Sequence, residues 1–437
     1  MIVDALLGEV VYHNRLGSGL DVWAVPRRGS RQKAAVLYID YGSVDLHLRA
    51  RDSGQVQTTP AGTAHFLEHR LFAKPYGDIT EQINRLGGDV NASTSFTSTV
   101  FSLTCIEHFA AHLDLLFELA LDLHILPEGV AQEREIIDHE LQISCDDPEW
   151  IGFLHGLKAL YRDSPLAWDM AGTRESIGQI DVDALIRCHE AFYQPEYMGL
   201  YLCGDFDVED TCAAVESNLL KHSRPRSAWD RVERPVVLPA PQPLGALVLP
   251  VSRPYTLLFF GDDKAGQSGR DLLLRELALE LALDIALGPA SDFFAAHYED
   301  GLIDGDVFGA EVYAEPTFCF CTVGGYTQQS ERLCEEINAA LASLDERVVA
   351  ADLGRAKRKA YGLLLRAWEQ TEDVADMLCS AAASGAAPSV YFDVHEQIAV
   401  GDILEVLESC LSPAHQSAMQ CSPASVLGPL VPTGRAE

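Results

Sequence analysis

Hydrophobic and polar positions along the chain fall into two similar runs, each with short strand-like segments and long helix-like ones. In the first run strands are predicted at Val10–Tyr12, Asp21–Pro26 and Ala35–Tyr41, then a helical turn at residues 65–69 and a short helix at Ile79–Leu86. Strands near Val90–Ser95 and Val100–Cys105 follow, and then helical patterns at Ile106–His124, Val130–Cys145, Trp150–Arg162 and Val182–Tyr193. A strand at Gly199–Leu202 and a helix at Val208–Lys221 close the run. Residues Arg224–Pro243 carry five prolines and little periodicity, which reads as a linker. The order then recurs: strands at Ala246–Val251 and Tyr255–Gly261, a long helix at Gly269–Leu287, a helix near Ala290–Tyr298, strands around Gly309–Glu315 and Thr317–Gly325, and helices to about Leu411. Pro413, Pro423, Pro429 and Pro432 give the remainder the look of a loosely held tail. The pattern predicts an α+β protein of two homologous half-domains, each a mixed, largely antiparallel sheet packed with helices. The expected boundaries are 1–222, a linker at 223–245, 246–411, and a tail at 412–437.

Composition narrows the class without changing that plan. With 437 residues, 48% of them hydrophobic and 22% charged, the chain suits packed globular domains. The first residues lack a basic segment leading into an apolar run, and charges interrupt every longer apolar stretch, so neither a secretory signal nor a membrane span is expected. Eleven cysteines lack metal-type CxxC spacing and several lie in apolar runs such as Phe318–Cys321; they read as reduced, mostly buried thiols of a cytoplasmic protein. A net charge of −33 argues against nucleic acid, whose phosphates need concentrated Lys and Arg. The same charge serves solubility, or draws cationic peptides.

The chemistry concentrates in His65-Phe66-Leu67-Glu68-His69. On a helix the two imidazoles and the carboxylate share an arc of roughly 100°. Two nitrogens four residues apart can hold one Zn²⁺, with the intervening carboxylate working on water. A satisfied surface pair of histidines with a solvated glutamate would spell the same string. A third ligand is available downstream, where Glu133 and Glu140 lie two helical turns apart on one face of Glu133-Arg134-Glu135-Ile136-Ile137-Asp138-His139-Glu140. One of the two can complete a tetrahedral site while the other orients a ligand or the water. Glu135 and His139 are rivals by proximity alone and point away from that face.

Together, HFLEH and EREIIDHE resemble the inverted HxxEH signature of the pitrilysin/insulinase family of zinc peptidases. The resemblance implies His65, His69 and Glu140 as zinc ligands, Glu68 as general base and Glu133 as a supporting acid. Gly87–Thr97 is similar to the family's substrate-binding edge strand, which implies that Asn91, Ala92, Ser93 and Thr94 contact a peptide. Asp147-Pro148, Gly172–Ile177 and Leu202–Asp205 resemble later landmarks, so the likeness spans residues 10 to 410 and is stronger in the first half. It is nearest to half-size bacterial members related to the mitochondrial processing peptidase subunits.

One departure bears on partners. Active members carry an arginine and a tyrosine seven apart, flanking Gly-Leu in the second half-domain, to hold the developing oxyanion. Aligned on Gly301-Leu302, this chain places His297 and Asp304 there. Ionised aspartate cannot donate to an oxyanion. The resemblance therefore implies a heterodimer whose homologous half-size partner supplies Arg and Tyr, the two chains closing around a peptide; a homodimer using Tyr298 is the other arrangement. A non-catalytic assembly subunit of the same fold is the alternative function.

Overall fold

The computed structural model of the protein describes residues 2–222, 227–242, 246–249, 251 and 253–422. Seven strands form the first sheet: β1 (Ile2–Leu6), β2 (Glu9–Arg15), β3 (Asp21–Pro26), β4 (Lys33–Ile39), β5 (Gly88–Thr94), β6 (Thr99–Cys105) and β7 (Met198–Gly204), in the order β1-β2-β3-β7-β4-β6-β5. Only β3 and β7 run parallel, because a long helical excursion separates them; the other pairs are antiparallel. Strand β7 is buried along its whole length, as befits a central strand covered on both faces. Five strands form the second large sheet: β8 (Ala246–Val248), β9 (Tyr255–Gly261), β10 (Gly309–Glu315), β11 (Phe318–Tyr326) and β12 (Gln416–Ser422), in the order β8-β12-β9-β11-β10.

The two orders superimpose, β3, β7, β4, β6 and β5 matching β8, β12, β9, β11 and β10. In both, the only parallel pair stands beside a strand with two antiparallel neighbours, and a hairpin forms the far edge. The α+β plan of two homologous halves is thus present in the topology itself.

Two expectations are corrected. The supposed tail from residue 412 contains β12, a central strand with Met419 and Cys421 fully buried, because each copy of the fold needs a closing strand beside its second; residues 423–437 lie outside the described residues. The half-domains are also not contiguous. One unit takes residues 1–141, 168–235 and 362–393, the other 142–167, 236–361 and 394–437. Helix α3 (Pro148–Tyr161) therefore packs on the second sheet, where Gly152 faces Met419 and Gly156 faces Phe259. Helix α6 (Thr371–Ala383) packs on the first, its Val374, Ala375 and Leu378 meeting Val36 and Tyr201. Hydrophobic periodicity reports that a helix has an apolar face, not which sheet receives it. The described part of the expected linker is pinned down as well: Arg234 donates to Asp45 and to the Thr97 carbonyl, and Trp229–Arg231 pairs with His47–Ala50.

Two further pieces complete the frame of the site. Helix α1 (Thr63–Phe72) lies on the core of the first sheet through Ala64, Phe66, Leu67 and Leu71, and helix α2 (Pro127–Cys145) turns Val130, Ile137 and Leu141 inward. In the second unit helix α4 (Gly269–Leu287) stands where α1 stands in the first, after the second strand of its copy. All eleven cysteines are free thiols, nine of them buried. No helix among the described residues is long and apolar enough to cross a membrane.

Candidate metal centre

Helix α1 starts where the preceding loop is forced to turn. Gly62 sits at φ 87°, in the left-handed region, and a Cβ there would come within 2.3 Å of the Ala171 carbonyl oxygen. Thr63 Oγ1 ties the first turn to the Pro60 carbonyl at 2.6 Å. From that start the helical period places His65, Glu68 and His69 on one side while the apolar residues between them enter the core.

Ligand atoms of His65, His69 and Glu140 all lie within 4.8 Å of one another, and the imidazoles of His65 and His69 stand 4.6 Å apart, centroid to centroid. Among the described residues this is the one group of His, Cys, Asp or Glu so arranged. Glu135 and His139 project to solvent from the other side of α2. His69 Nε2 and Glu140 Oε2 are 3.7 Å apart, close to the roughly 3.3 Å that separates two ligands on a tetrahedral zinc. The donor set of two imidazoles and a carboxylate is that of catalytic zinc sites, which leave a position for water. His65 supplies a second sign of fit: its Nδ1 is buried with no hydrogen-bond partner among the described residues. Burial, and then repulsion from His69, push its pKa down to about 4, so the ring is neutral with a lone pair to offer at neutral pH.

A buried hydrogen-bonded chain steadies this group. Glu133 Oε1 lies 3.1 Å from His69 Nδ1, and Arg70 donates to Glu133 Oε2 at 3.0 Å. The bond through Nδ1 turns the other nitrogen of His69 toward Glu140 and His65. Burial alone would raise the Glu133 pKa, but His69 and Arg70 outweigh it and hold the carboxyl below its usual range. For His69 burial works downward, and the three carboxylates of Glu133, Glu140 and Glu68 raise it overall.

Glu68 is 7% exposed, and burial raises its pKa against the opposing hydrogen bond from Thr94. That bond, Thr94 Oγ1 to Glu68 Oε2, is 2.5 Å long. Thr94 ends β5, the free edge of its sheet, and the strand alternates so that Ala92 and Thr94 point inward while Asn91 and Ser93 are exposed. The four candidate peptide contacts thus split: Asn91 and Ser93 face outward, and the Thr94 hydroxyl is committed to Glu68. Sequence reasoning assigned no role to Arg70, and the signal was faint: a basic residue directly after His69 in a buried helix needs an anion, and Glu133 was the acid available.

In the second unit His297 is buried on helix α5 (Asp292–Glu299), 3.6 Å from Glu336. Asp304 accepts from Arg253 at 2.8 Å and is held below the usual carboxylate range by that bond. It is an acceptor already in use. Tyr298 is 61% exposed, its ring stacked on Phe294.

Comparison with known proteins places the chain. Residues 52–174 match the family model "Insulinase (Peptidase family M16)", and residues 179–360 match "Peptidase M16 inactive domain". A Bacillus subtilis protein named as the uncharacterized zinc protease YmfH is 30% identical over 405 residues, 92% of this chain and 94% of its own. The chain belongs to peptidase family M16. A crystal structure of an M16-like peptidase from Alicyclobacillus acidocaldarius superposes with TM-score 0.89 at 28% identity, covering 96% of this chain and 99% of that one. Pitrilysin shares the fold at 14% identity, with TM-score 0.71 over 95% of this chain and 45% of the longer protein. The chain thus covers most of the length of YmfH and of the Alicyclobacillus peptidase and about half of pitrilysin. The candidate metal group lies wholly within the segment matched by the first model.

Proposed function

We propose that this M16 member is a zinc-dependent endopeptidase acting on short or unfolded peptides in the cytoplasm, with His65, His69 and Glu140 holding Zn²⁺ and Glu68 as general base. The convergence of those three ligand atoms beside a buried carboxylate carries the reading. When bound, Zn²⁺ supplies Lewis-acid polarisation of a carbonyl and acidification of water. Glu68 takes a proton from the attacking water and passes it to the departing amine. Burial raises the proton affinity of Glu68, which favours its taking up that proton, and the Thr94 hydroxyl fixes the carboxylate oxygen it touches. Glu133 and Arg70 keep His69 in one orientation. An extended peptide pairs with the free edge of β5, backbone to backbone, with Asn91 and Ser93 at its exposed side; such pairing gives affinity with little sequence reading.

The oxyanion is the missing element. Asp304 is occupied as an acceptor, and His297 lies buried against Glu336. A homologous half-size partner carrying Arg and Tyr seven apart would supply the donors and enclose the peptide, and one such donor is worth about 10²-fold or more. Peptide cleavage by the chain alone, and mixed with such a homologue, tests the reading. The mixture should be faster by at least that factor, and mutating the partner's Arg/Tyr pair should remove the gain with zinc in this chain unchanged. A rate for the chain alone that no homologue alters would refute the split arrangement.

A further inference from the structure

The second unit contains a cavity that the zinc chemistry does not use. It opens at the edge of the second sheet, between α3, which packs chiefly on β9 and β12, and the hairpin of β10 and β11, and its volume is about 410 Å³, within the range of small-molecule sites. Half-buried rings form the walls: Trp150 and Phe153 of α3, Tyr255 of β9 and Tyr313 of β10. Trp150 and Phe153 stack at 5.6 Å, and Tyr313 lies against Phe320 at 4.5 Å, so the rings are held in place by their neighbours.

Carboxylates crown those rings. Glu149 accepts from the Tyr326 hydroxyl at 2.5 Å and Glu311 from the Tyr313 hydroxyl at 2.5 Å, which fixes both acids and leaves each with a second oxygen to offer. Asp147 stands nearby as the cap of α3. Among the described residues none of these three acids has an ion-pair partner; the neighbouring Arg253 is spent on Asp304 and on the face of Tyr326. Burial, with Glu149, Tyr326 and Glu311 close by, pushes the Tyr255 phenol well above its ordinary range, as a negative potential would.

Gly309 is a separate pointer. It lies in the same row of β10 as Glu311 and Tyr313, opposite Gly324, and lines the cavity. Its backbone is not left-handed, and a Cβ built there meets nothing within 4 Å. Neither conformation nor packing requires glycine there, and the absent side chain leaves that part of the cavity open.

We propose that this cavity binds an alkylguanidinium or alkylammonium group, its charge between Glu149 and Glu311 and its chain along the rings of Trp150, Phe153, Tyr255 and Tyr313. Aromatic faces attract such cations, and carboxylates without counter-ions supply the rest. A metal ion would make no use of the rings. The assignment rests on second-unit residues alone and is independent of the peptidase reading.

Calorimetric titration of the full-length, zinc-loaded protein with butylguanidinium, and with its neutral isostere butylurea, tests it. Butylguanidinium should bind saturably with one site per chain and at least tenfold more tightly than butylurea. Glu149→Gln/Glu311→Gln should lower that affinity at least tenfold, and so should Gly309→Phe, which fills the space. A control of equal charge on exposed acids elsewhere, Glu107→Gln/Glu335→Gln, should leave it unchanged. The capped tripeptide Gly-Arg-Gly, titrated into Glu68→Gln protein, separates the sources: tighter binding than butylguanidinium assigns a polypeptide side chain, equal or weaker binding a free small cation, and either upholds the site. Circular dichroism and zinc content confirm folding, and should Gly309→Phe fail to fold, the isosteric Gln pair decides alone. Equal binding of the two isosteres, or loss of affinity in the control as large as in the Gln pair, would overturn the proposal, since attraction to a −33 surface would then suffice.

Discussion

Helices α1 and α4 occupy equivalent places in the two copies of the fold, each following the second strand of its repeat, yet they bury different things. Helix α1 carries Glu68, Arg70 and the two histidines into or beside the core, and each buried charge has a named partner: Thr94 for Glu68, and Glu133 for Arg70 and His69. Helix α4 buries Leu272, Leu273, Leu277, Leu279, Leu281, Leu283 and Leu287, and its one buried cation, Arg275, pairs with Asp262 and donates to Ser409 at 2.6 Å. Its Glu276 has no ion-pair partner among the described residues: burial, then Glu280 and Glu315, raise that carboxyl to about 8. One scaffold thus supports either an apolar wedge or a polar face, and in the polar version neighbouring elements supply a partner for Glu68, Arg70 and His69. Buried charges without partners shift their pKa instead of stabilising the fold.

Removing the base should produce the largest change. Glu68→Gln preserves the shape and the Thr94 hydrogen bond, so it should keep zinc and lower kcat by about 10²–10⁴-fold, the span for a positioned general base; steady-state cleavage with metal analysis on the same sample checks both. Next comes the support of the polar face. Arg70→Met leaves Glu133 buried without its cation and should cost about 3–5 kcal/mol in urea unfolding. It should also weaken zinc by roughly 10–100-fold, as expected when the group orienting a ligand is disturbed.

Thr94→Val should have a smaller effect, about tenfold on kcat/KM, since a hydrogen bond to a charged group contributes about 1.5–3 kcal/mol. The Thr94 bond lowers the Glu68 pKa, so its loss lets that pKa rise, and the acid limb of the kcat/KM profile should move to higher pH. An unmoved limb would assign Thr94 to peptide contact alone.

The smallest change belongs to the second unit. Glu276 binds its proton more tightly folded than unfolded, so its ionisation lowers stability progressively as pH rises from about 4.5 to about 8. Glu276→Gln should leave Tm unchanged near pH 4 and raise it by about 2–4 °C at pH 9. Equal shifts at both pH values would point to packing and not to charge.

Much of this contrast was legible in the sequence. The i, i+3, i+4 spacing of His65, Glu68 and His69 and the seven-residue step from Glu133 to Glu140 fix faces of helices, and helical geometry is local. The repeat was legible for the same reason, since each half writes the same succession of strands and helices. The rest depended on long-range partners. Which sheet receives α3 or α6 is decided by complementary surfaces such as Gly156 against Phe259. Strand β12 was missed because Gln416–Ser422 holds few aliphatic residues and follows a proline, although Met419 and Cys421 keep a period of two. The bond from Thr94 to Glu68 was not legible, because nothing in a strand sequence shows that a hydroxyl meets a helix twenty-six residues earlier.

Metal analysis of the purified protein and four variants tests the central claim most directly. One Zn²⁺ per chain is predicted for the native protein and for Glu68→Gln, with occupancy lost in His65→Ala and Glu140→Ala and largely kept in Glu133→Ala. Full occupancy in Glu140→Ala, with loss in Glu133→Ala, would contradict it and exchange the roles of the two glutamates.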